Sequence, residues 1–355
     1  MGRRSVEAPG RLYRTRLLVA RARIVAGLGP METQPTPACC VCGTPGVLAY
    51  ANLDDALFGA DGRWSLRRCP NPDCGMMWLD PMPTPRDIGQ AYARYYTHGD
   101  RNGEPDASIA RRAFRLGYQL VFTPLVATLT GARRERRRLE LLDLGGGKGR
   151  LLDVGCGDGR GLARLRQYGW EVHGLDVDPV SVRVARERHG LDVHLGPLET
   201  APYETDSFDA IMSSHVIEHV HEPLAVLRQI RGLLKRGGRF VAVTPNVMSL
   251  GHVRYGEHWR GLEPPRHLHV FSPASLGALA RAAAFSHVDV RTTPARAQSM
   301  ARMSRHIADH RARRVLGWTD RLVRELESVR FQHEALRAHG RDPQSGEECV
   351  LRATK

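Results

Sequence analysis

Short apolar runs alternate with amphipathic segments through the second half of the chain. The apolar runs predict strands at 151–154, 171–175, 192–195, 208–213, 239–244, 287–293 and 348–353. The segments between them predict helices over 160–168, 179–189, 223–235 and 273–283, and the apolar spacing between 293 and 348 is also helical. This alternation predicts an α/β fold: a doubly wound, mostly parallel seven-stranded sheet with helices on both faces.

One of these strands runs directly into glycines. Residues 151 to 159 read Leu-Leu-Asp-Val-Gly-Cys-Gly-Asp-Gly, and the next apolar run ends in Asp176, 21 residues after Gly155. A strand, a glycine turn, a helix and a second strand closed by a carboxylate form the arrangement that holds an adenosine-type cofactor. Arg160 stands where a dinucleotide fingerprint has its third glycine, which disfavours a nicotinamide cofactor.

The segment from Asp153 to Gly159, together with Asp176, resembles the first two motifs of class I S-adenosylmethionine-dependent methyltransferases, which have a Rossmann-like fold. The resemblance implies that the glycine turn lies under the methionine part of the cofactor and that Asp176 binds the ribose. Leu198 and Glu199 are expected near the adenine, and His215 where the chain passes the cofactor. The expected S-adenosylmethionine-binding residues are Asp153, Gly155, Cys156, Gly157, Gly159, Asp176, Val177, Leu198, Glu199 and His215.

The formal net charge of +14 raises the question of a nucleic-acid partner. Only three of the 52 basic residues are lysines, and the arginines are scattered rather than arranged in a stripe, so we do not expect nucleic acid to be the partner. No run of about eighteen apolar residues exists, so no membrane-crossing segment is predicted.

The seven cysteines are distributed unevenly, with five in the first quarter of the chain. Their odd number, a tight Cys-x-x-Cys and the lack of a secretory signal favour a reducing cytoplasm and a metal site over disulfides. Two knuckle-like turns predict one structural zinc ion bound by Cys39, Cys42, Cys69 and Cys74. Cys40 is an alternative ligand, and free buried cysteines are the alternative to a metal site.

The order of a zinc ribbon followed by the glycine motif resembles a bacterial methyltransferase subgroup with an N-terminal zinc ribbon, similar to ubiquinone-biosynthesis-type O-methyltransferases. A late segment, residues 257–272, also resembles that subgroup through Trp259 and the run Pro264-Pro265-Arg266-His267. We refer to residues 257–272 as the histidine loop. A tryptophan, two arginines and three histidines in one proline-containing segment favour a site over a core.

Four regions are predicted from these features. They are a basic, disordered or misassigned extension (1–36), a zinc ribbon (37–80), a helical connector that covers the cleft (81–148) and a methyltransferase domain (149–355) with a helical insertion at about 296–345. The connector includes a predicted helix over 111–142. Basic residues at its end and in the extension leave a peripheral contact with a membrane surface open.

The candidate catalytic residues are His267 and His219 as general base, in that order, with Arg266 holding an acidic group of the acceptor. A histidine with a pKa near neutrality suits proton removal from a hydroxyl acceptor. The alternative is structural: His267 and His269 order the histidine loop, and Glu218 and His219 complete a helix turn.

The function predicted from these residues is methyl transfer from S-adenosylmethionine, most simply to oxygen, on a small-molecule, lipid-linked or sugar-linked acceptor in the cytoplasm. Two alternatives remain open. One is an RNA methyltransferase, although the fourth predicted strand is followed by Ser-Ser-His rather than by an Asn-Pro-Pro-Tyr or Asp-Pro-Pro-Tyr motif. The other is a non-catalytic cofactor-binding protein that serves as an interaction platform.

Overall fold

A computed structural model of the chain describes residues 29–93, 144 and 147–355. Most of the predicted basic extension and the predicted helix over 111–142 lie outside the described residues. The division of the chain into four regions therefore stays a prediction.

The ribbon region contains five short strands. They are β1 (Thr33–Gln34), β2 (Val47–Leu53), β3 (Trp64–Arg68), β4 (Met77–Leu79) and β5 (Met82–Pro83). Strands β2, β3 and β4 form an antiparallel sheet, and β1 pairs with β5. Alternate residues of β3 point inward, so Trp64 and Leu66 are buried while Ser65 and Arg67 are only partly buried.

The remaining strands follow in chain order. They are β6 (Gly149–Val154), β7 (Trp170–Asp176), β8 (Asp192–Leu195), β9 (Phe208–Ser214), β10 (Leu234–Pro245), β11 (His269–Val270), β12 (Ser286–Thr293) and β13 (Glu348–Thr354). All except β11 form one seven-stranded sheet in the order β12-β13-β10-β9-β6-β7-β8. Strands β6 to β10 are parallel, and β13 is antiparallel to both of its neighbours. This confirms the predicted sheet.

Helices connect these strands. They are α1 (Arg160–Arg166), α2 (Pro179–His189), α3 (Pro223–Leu233), α4 (Leu250–Tyr255), α5 (Pro273–Ala282), α6 (Ala297–Arg311) and α7 (Trp318–Arg341). The two long helices α6 and α7 pack on each other and form the predicted helical excursion before β13. None of the helices in the described ranges is both long and apolar enough to cross a lipid bilayer.

Local sequence explains where these helices begin and end. The carboxylate of Asp178 accepts a hydrogen bond from the backbone N–H of Val180 at 3.0 Å, and Pro179 occupies the first position of α2. Gly190 ends the same helix with φ of 57°, a left-handed conformation that glycine adopts without steric cost. Helix α3 buries Val226, Leu227 and Ile230, which share one face of the helix, against the sheet.

The two-residue strand β11 belongs to the ribbon rather than to the large sheet. It pairs with β4 in antiparallel fashion and completes a four-stranded sheet in the order β11-β4-β3-β2. Because β11 lies inside the histidine loop, the ribbon and the loop share one sheet. Buried side chains of the ribbon, such as Trp78, and of the loop, such as Trp259, lie in one hydrophobic core.

Candidate functional site

The glycine turn after β6 (residues 155–159) lies against the end of β7. Gly155 has φ of 79°, and a Cβ atom there would lie 2.3 Å from Cγ2 of Val216, so a larger residue does not fit. The N–H of Gly155 donates to the carbonyl of Leu175 at 2.9 Å, and the N–H of Gly157 donates to Oδ2 of Asp176 at 2.8 Å. These bonds hold the turn and the carboxylate of Asp176 together as one unit.

Asp153 provides a second carboxylate beside the turn. It is buried near the end of β6, and its Oδ1 atom has no hydrogen-bond partner among the described residues. Burial, together with the negative charge of Asp176, raises the pKa of Asp153 to about 7. A buried acceptor without a donor is costly, so a bound ligand that supplies a donor would stabilise this arrangement. The site therefore fits a polar cofactor.

The other residues expected at the cofactor lie at the same edge of the sheet and differ in exposure. Val177 is 69% exposed and Glu199 is exposed, whereas Leu198 is buried. Cys156 points away from the edge, since a Cβ atom on Gly174 would lie 2.8 Å from its Sγ atom. Cys156 therefore offers its backbone, and Val177 offers an apolar surface, to a ligand at this edge.

His215 follows β9 on the other side of the turn. Its φ of 57° is rare for a residue with a side chain, and such strained conformations concentrate at functional sites. Nδ1 of His215 lies 3.1 Å from Oε1 of Glu218, and Nε2 lies 2.9 Å from Oε1 of Glu348. Burial favours the neutral ring, yet the bonds to the two carboxylates raise the pKa of His215 to about 9. Glu218 also accepts a hydrogen bond from Thr244, and Nη1 of Arg296 lies 3.2 Å from Nε2 of His215.

His219 and His267 lie next to each other behind this ion cluster. Their rings meet edge to face, with centroids 4.8 Å apart. Nδ1 of His267 donates to the carbonyl of Gly261 at 2.7 Å, and Nδ1 of His219 lies 3.0 Å from the carbonyl of Arg266 and 2.9 Å from the Tyr92 hydroxyl. A carbonyl can only accept, so Nδ1 carries the proton in both rings and Nε2 is left to accept one.

Burial keeps both of these rings neutral. It lowers the pKa of His219, and it lowers the pKa of His267 well below the ordinary value, where the neighbouring His219 adds to the effect. The side chain of His267 is only 5% exposed. The structure thus brings the two candidate bases together, with His267 buried and His219 partly buried.

Arg266 is placed differently from the expectation. Its side chain is fully buried, and its guanidinium donates to both oxygens of Asp55, to Oε1 of Glu263 and to the carbonyl of Ala91. The ring of Phe58 lies 4.5 Å from the guanidinium carbon. The structure corrects the expected contact with an acidic group of the acceptor, because these internal partners occupy the guanidinium.

The ribbon brings together the four cysteines that the sequence singled out. One ligand atom from each of Cys39, Cys42, Cys69 and Cys74 lies within 4.8 Å of the others. The Sγ atoms of Cys39 and Cys74 are 3.6 Å apart, and those of Cys42 and Cys69 are 3.4 Å apart. Tetrahedral zinc with bonds of about 2.3 Å requires sulfur separations of roughly 3.8 Å. The cluster is therefore compatible with zinc.

Cys40, the alternative ligand, does not join this cluster. Its Sγ atom lies 3.8 Å from Nδ1 of His269 in β11. Cys40 thus contacts the histidine loop, and the spacing Cys-x-x-Cys between Cys39 and Cys42 supplies the ribbon's first two sulfurs.

Sequence reasoning missed several polar residues at this site. Asp55 and Arg296 have no flanking motif that separates them from ordinary surface residues, and only contacts between distant parts of the chain reveal them. The sequence does mark Glu348 as unusual, since two acidic residues directly precede the apolar run of the last strand.

The chain is similar in sequence to known methyltransferases. A family model described as a methyltransferase domain matches residues 126–290. The chain is 36% identical over 164 residues to a ubiquinone biosynthesis O-methyltransferase of Xanthomonas oryzae, a match that covers 42% of this chain and 66% of the relative. It is 34% identical over 151 residues to the enzyme of the same name from Cereibacter sphaeroides, which covers 39% of this chain and 61% of the relative.

The matched region therefore spans less than two thirds of the length of either relative. Among solved structures, an S-adenosylmethionine-dependent methyltransferase from Thermotoga maritima is 18% identical, with a TM-score of 0.42. That match covers 68% of this chain and 99% of the other.

Proposed function

We propose that this chain, whose central region is a class I S-adenosylmethionine-dependent methyltransferase domain, transfers the methyl group to a hydroxyl oxygen of a small molecule. The observation that carries the proposal is the pair of carboxylates beside the glycine turn. Asp176 is bonded into the turn, and Asp153 keeps a buried oxygen without a donor.

The cofactor would be held by residues of β6, β7 and the turns that follow them. The remaining lone pairs of Asp176 would accept hydrogen bonds from ribose hydroxyls, and Asp153 would accept one from the polar end of the cofactor. Val177 and Leu198 would contact the adenine. When bound, the cofactor supplies an electrophilic methyl group on a sulfonium.

Transfer to oxygen is supported by the names of the relatives and by the two neutral histidines. A hydroxyl must lose a proton as its oxygen attacks the methyl carbon, and a neutral imidazole accepts that proton through Nε2. His267 is the first candidate and His219 the second, because both retain an unprotonated Nε2. His215 is unsuited to this role because the carboxylates of Glu218 and Glu348 hold it protonated.

We further propose that the four ribbon cysteines bind one structural zinc ion. A site made of four thiolates leaves no position open for a substrate, so its role would be to hold the ribbon in shape. The close sulfur contacts support this proposal.

The proposed activity is tested by incubating the protein with S-adenosylmethionine carrying a labelled methyl group. The acceptor probes are 3,4-dihydroxybenzoate, which offers two adjacent ring hydroxyls, and in separate reactions a sugar nucleotide, a lipid extract and total RNA. We expect label in the dihydroxybenzoate product. Label in RNA alone would favour the RNA methyltransferase alternative, and cofactor binding without transfer to any probe would favour the non-catalytic one.

A further inference from the structure

One carboxylate of the ribbon, that of Asp55, contacts the histidine loop. We propose that Asp55 is a positioning residue for the acceptor side, acting through Arg266 to fix the Glu263 carboxylate that faces Nε2 of His267. This inference rests on the proposed function, in which His267 removes a proton from the acceptor hydroxyl. It assigns the ribbon a part in the reaction besides its own folding.

The first link joins the ribbon to the histidine loop. Oδ2 of Asp55 lies 2.7 Å from Nη1 of Arg266, and Oδ1 lies 2.8 Å from Nη2, so the two groups meet through a pair of parallel hydrogen bonds. Arg266 is fully buried and Asp55 is nearly so. Paired bonds of this kind fix direction as well as distance.

Asp55 is itself held rigidly. Its carboxylate accepts backbone N–H groups from Leu57, Phe58 and Ala60 at 3.2, 3.1 and 2.9 Å. The burial of Asp55 opposes ionisation, yet the bonds from Arg266 and from these amides bring its pKa below the ordinary value. The carboxylate is therefore a fixed anchor for the guanidinium.

The second link runs inside the loop. Nε of Arg266 donates to Oε1 of Glu263 at 2.9 Å, while Oε2 of Glu263 lies 3.4 Å from Nε2 of His267 and also pairs with Arg260. The nitrogen that would accept the proton therefore faces a carboxylate, whose position is set by Arg266. Moving Arg266 would move Glu263, and with it the surroundings of Nε2.

The backbone of the ribbon also contacts the histidine loop next to His267. The N–H of Leu79 donates to the carbonyl of Leu268 at 2.9 Å, and the N–H of Leu268 donates to the carbonyl of Glu218 at 2.8 Å. Leu268 thus joins the ribbon to the residue that pairs with His215. Side chain and backbone contacts together hold the segment around His267.

The test compares Asp55→Asn with a matched control, Asp54→Asn. Asp54 is also a ribbon carboxylate paired with an arginine, Arg311, at 2.7 Å, but its side chain is 35% exposed. Carbethoxylation with diethylpyrocarbonate, mapped by mass spectrometry, reports how well the ring of His267 is shielded. We expect faster modification of His267 in Asp55→Asn and wild-type protection in Asp54→Asn.

Kinetics with 3,4-dihydroxybenzoate separate positioning from stability. We expect kcat of Asp55→Asn to fall on the order of a hundredfold, the cost of a misplaced catalytic group, while the KM for S-adenosylmethionine is unchanged. Calorimetry with S-adenosylhomocysteine should give wild-type affinity. If the wild-type protein methylates none of the small-molecule probes, the proposed function is contradicted. The pattern of diethylpyrocarbonate modification then tests the role of Asp55 by itself.

A double variant, Asp55→Asn with Arg266→Gln, removes both charges and leaves no buried ion unpaired, so it should recover thermal stability lost in Asp55→Asn. If Asp55→Asn does not fold, the same modification and kinetic measurements are made on the double variant. Positioning predicts that His267 stays reactive and kcat stays low in the double variant. The proposal would be overturned if the double variant recovered His267 protection and kcat together with stability. It would also be overturned if His267 in Asp55→Asn were as well protected from diethylpyrocarbonate as in the wild type.

Discussion

The proposed cofactor side and the proposed acceptor side of the site differ in how far apart along the chain their residues lie. On the cofactor side, the glycine turn and both carboxylates come from residues 153–176. On the acceptor side, Asp55, Glu218, Arg266 and Glu348 come from four distant segments and meet in buried ion clusters. A local motif can specify the first side, whereas only the completed fold assembles the second.

The two sides also differ in how far their polar groups are already satisfied. Asp153 keeps a buried oxygen without a donor among the described residues, and the proposed cofactor would supply one. On the acceptor side, the carboxylates of Asp55 and Glu218 are paired with Arg266 and His215. We therefore expect changes on the cofactor side to alter affinity, and changes on the acceptor side to alter rate and stability.

The largest effect is expected from breaking the ribbon that supports the acceptor side. Cys69→Ser should lose the bound zinc, and structural zinc contributes on the order of 10 kcal/mol to folding in small metal-binding units. Elemental analysis and thermal unfolding measure this loss. Hydrogen exchange should then rise in the histidine loop and stay slow over residues 150–176.

The control is Cys40→Ser, because Cys40 lies outside the sulfur cluster and should leave the metal bound. Zinc retained by Cys69→Ser, or no zinc in the wild-type chain, would contradict the assignment.

The next largest effect is expected at the candidate base. His267→Asn should slow methylation of 3,4-dihydroxybenzoate by about a hundredfold, the usual contribution of a general base, and leave S-adenosylhomocysteine affinity unchanged. His258→Asn, a partly exposed histidine of the same loop, is the control. Equal rates for both variants would show that His267 only orders the loop.

A smaller effect is expected on the cofactor side. Asp176→Ala should weaken S-adenosylhomocysteine binding by about 1.5–3 kcal/mol, the value of hydrogen bonds to a charged group. Calorimetry measures this directly. Asp192→Ala removes an exposed carboxylate from the start of β8 and should bind as the wild type does. Unchanged affinity in Asp176→Ala would refute its ribose-binding role.

The smallest effect concerns the His215 ion cluster and its dependence on pH. The folded pKa of about 9 lies above the ordinary value of 6.5, so the stabilisation is fully present below pH 6.5 and is lost as the pH rises through 9. Between pH 7 and pH 9.5 this amounts to about 2 kcal/mol. The difference in unfolding free energy between wild type and His215→Gln should shrink over that range, and a constant difference would contradict the paired imidazolium.

The contrast between local and distant contacts also explains what the sequence could predict. Strand 192–195 and helix 179–189 have the predicted bounds, because apolar periodicity, Asp178 and Gly190 act locally. Strand β11 was not foreseen, since its two residues are defined only by pairing with β4. Strand β10 starts at Leu234 rather than at 239, because an irregular register lets Leu234 pair with Phe208.

The candidate site follows the same rule. The residues around the glycine turn could be named from a motif, and the four zinc-ligand candidates from their spacing. The role of Arg266 could not be predicted, because its partner Asp55 precedes it by 211 residues and no local pattern marks Asp55.

Everything proposed for the reaction requires that S-adenosylmethionine binds at the glycine turn, with Asp176 holding the ribose. Isothermal calorimetry of the full chain with S-adenosylhomocysteine tests it most directly. We expect saturable binding to a single site per chain that Asp176→Ala weakens. Absence of binding by folded wild-type protein at millimolar ligand would contradict it.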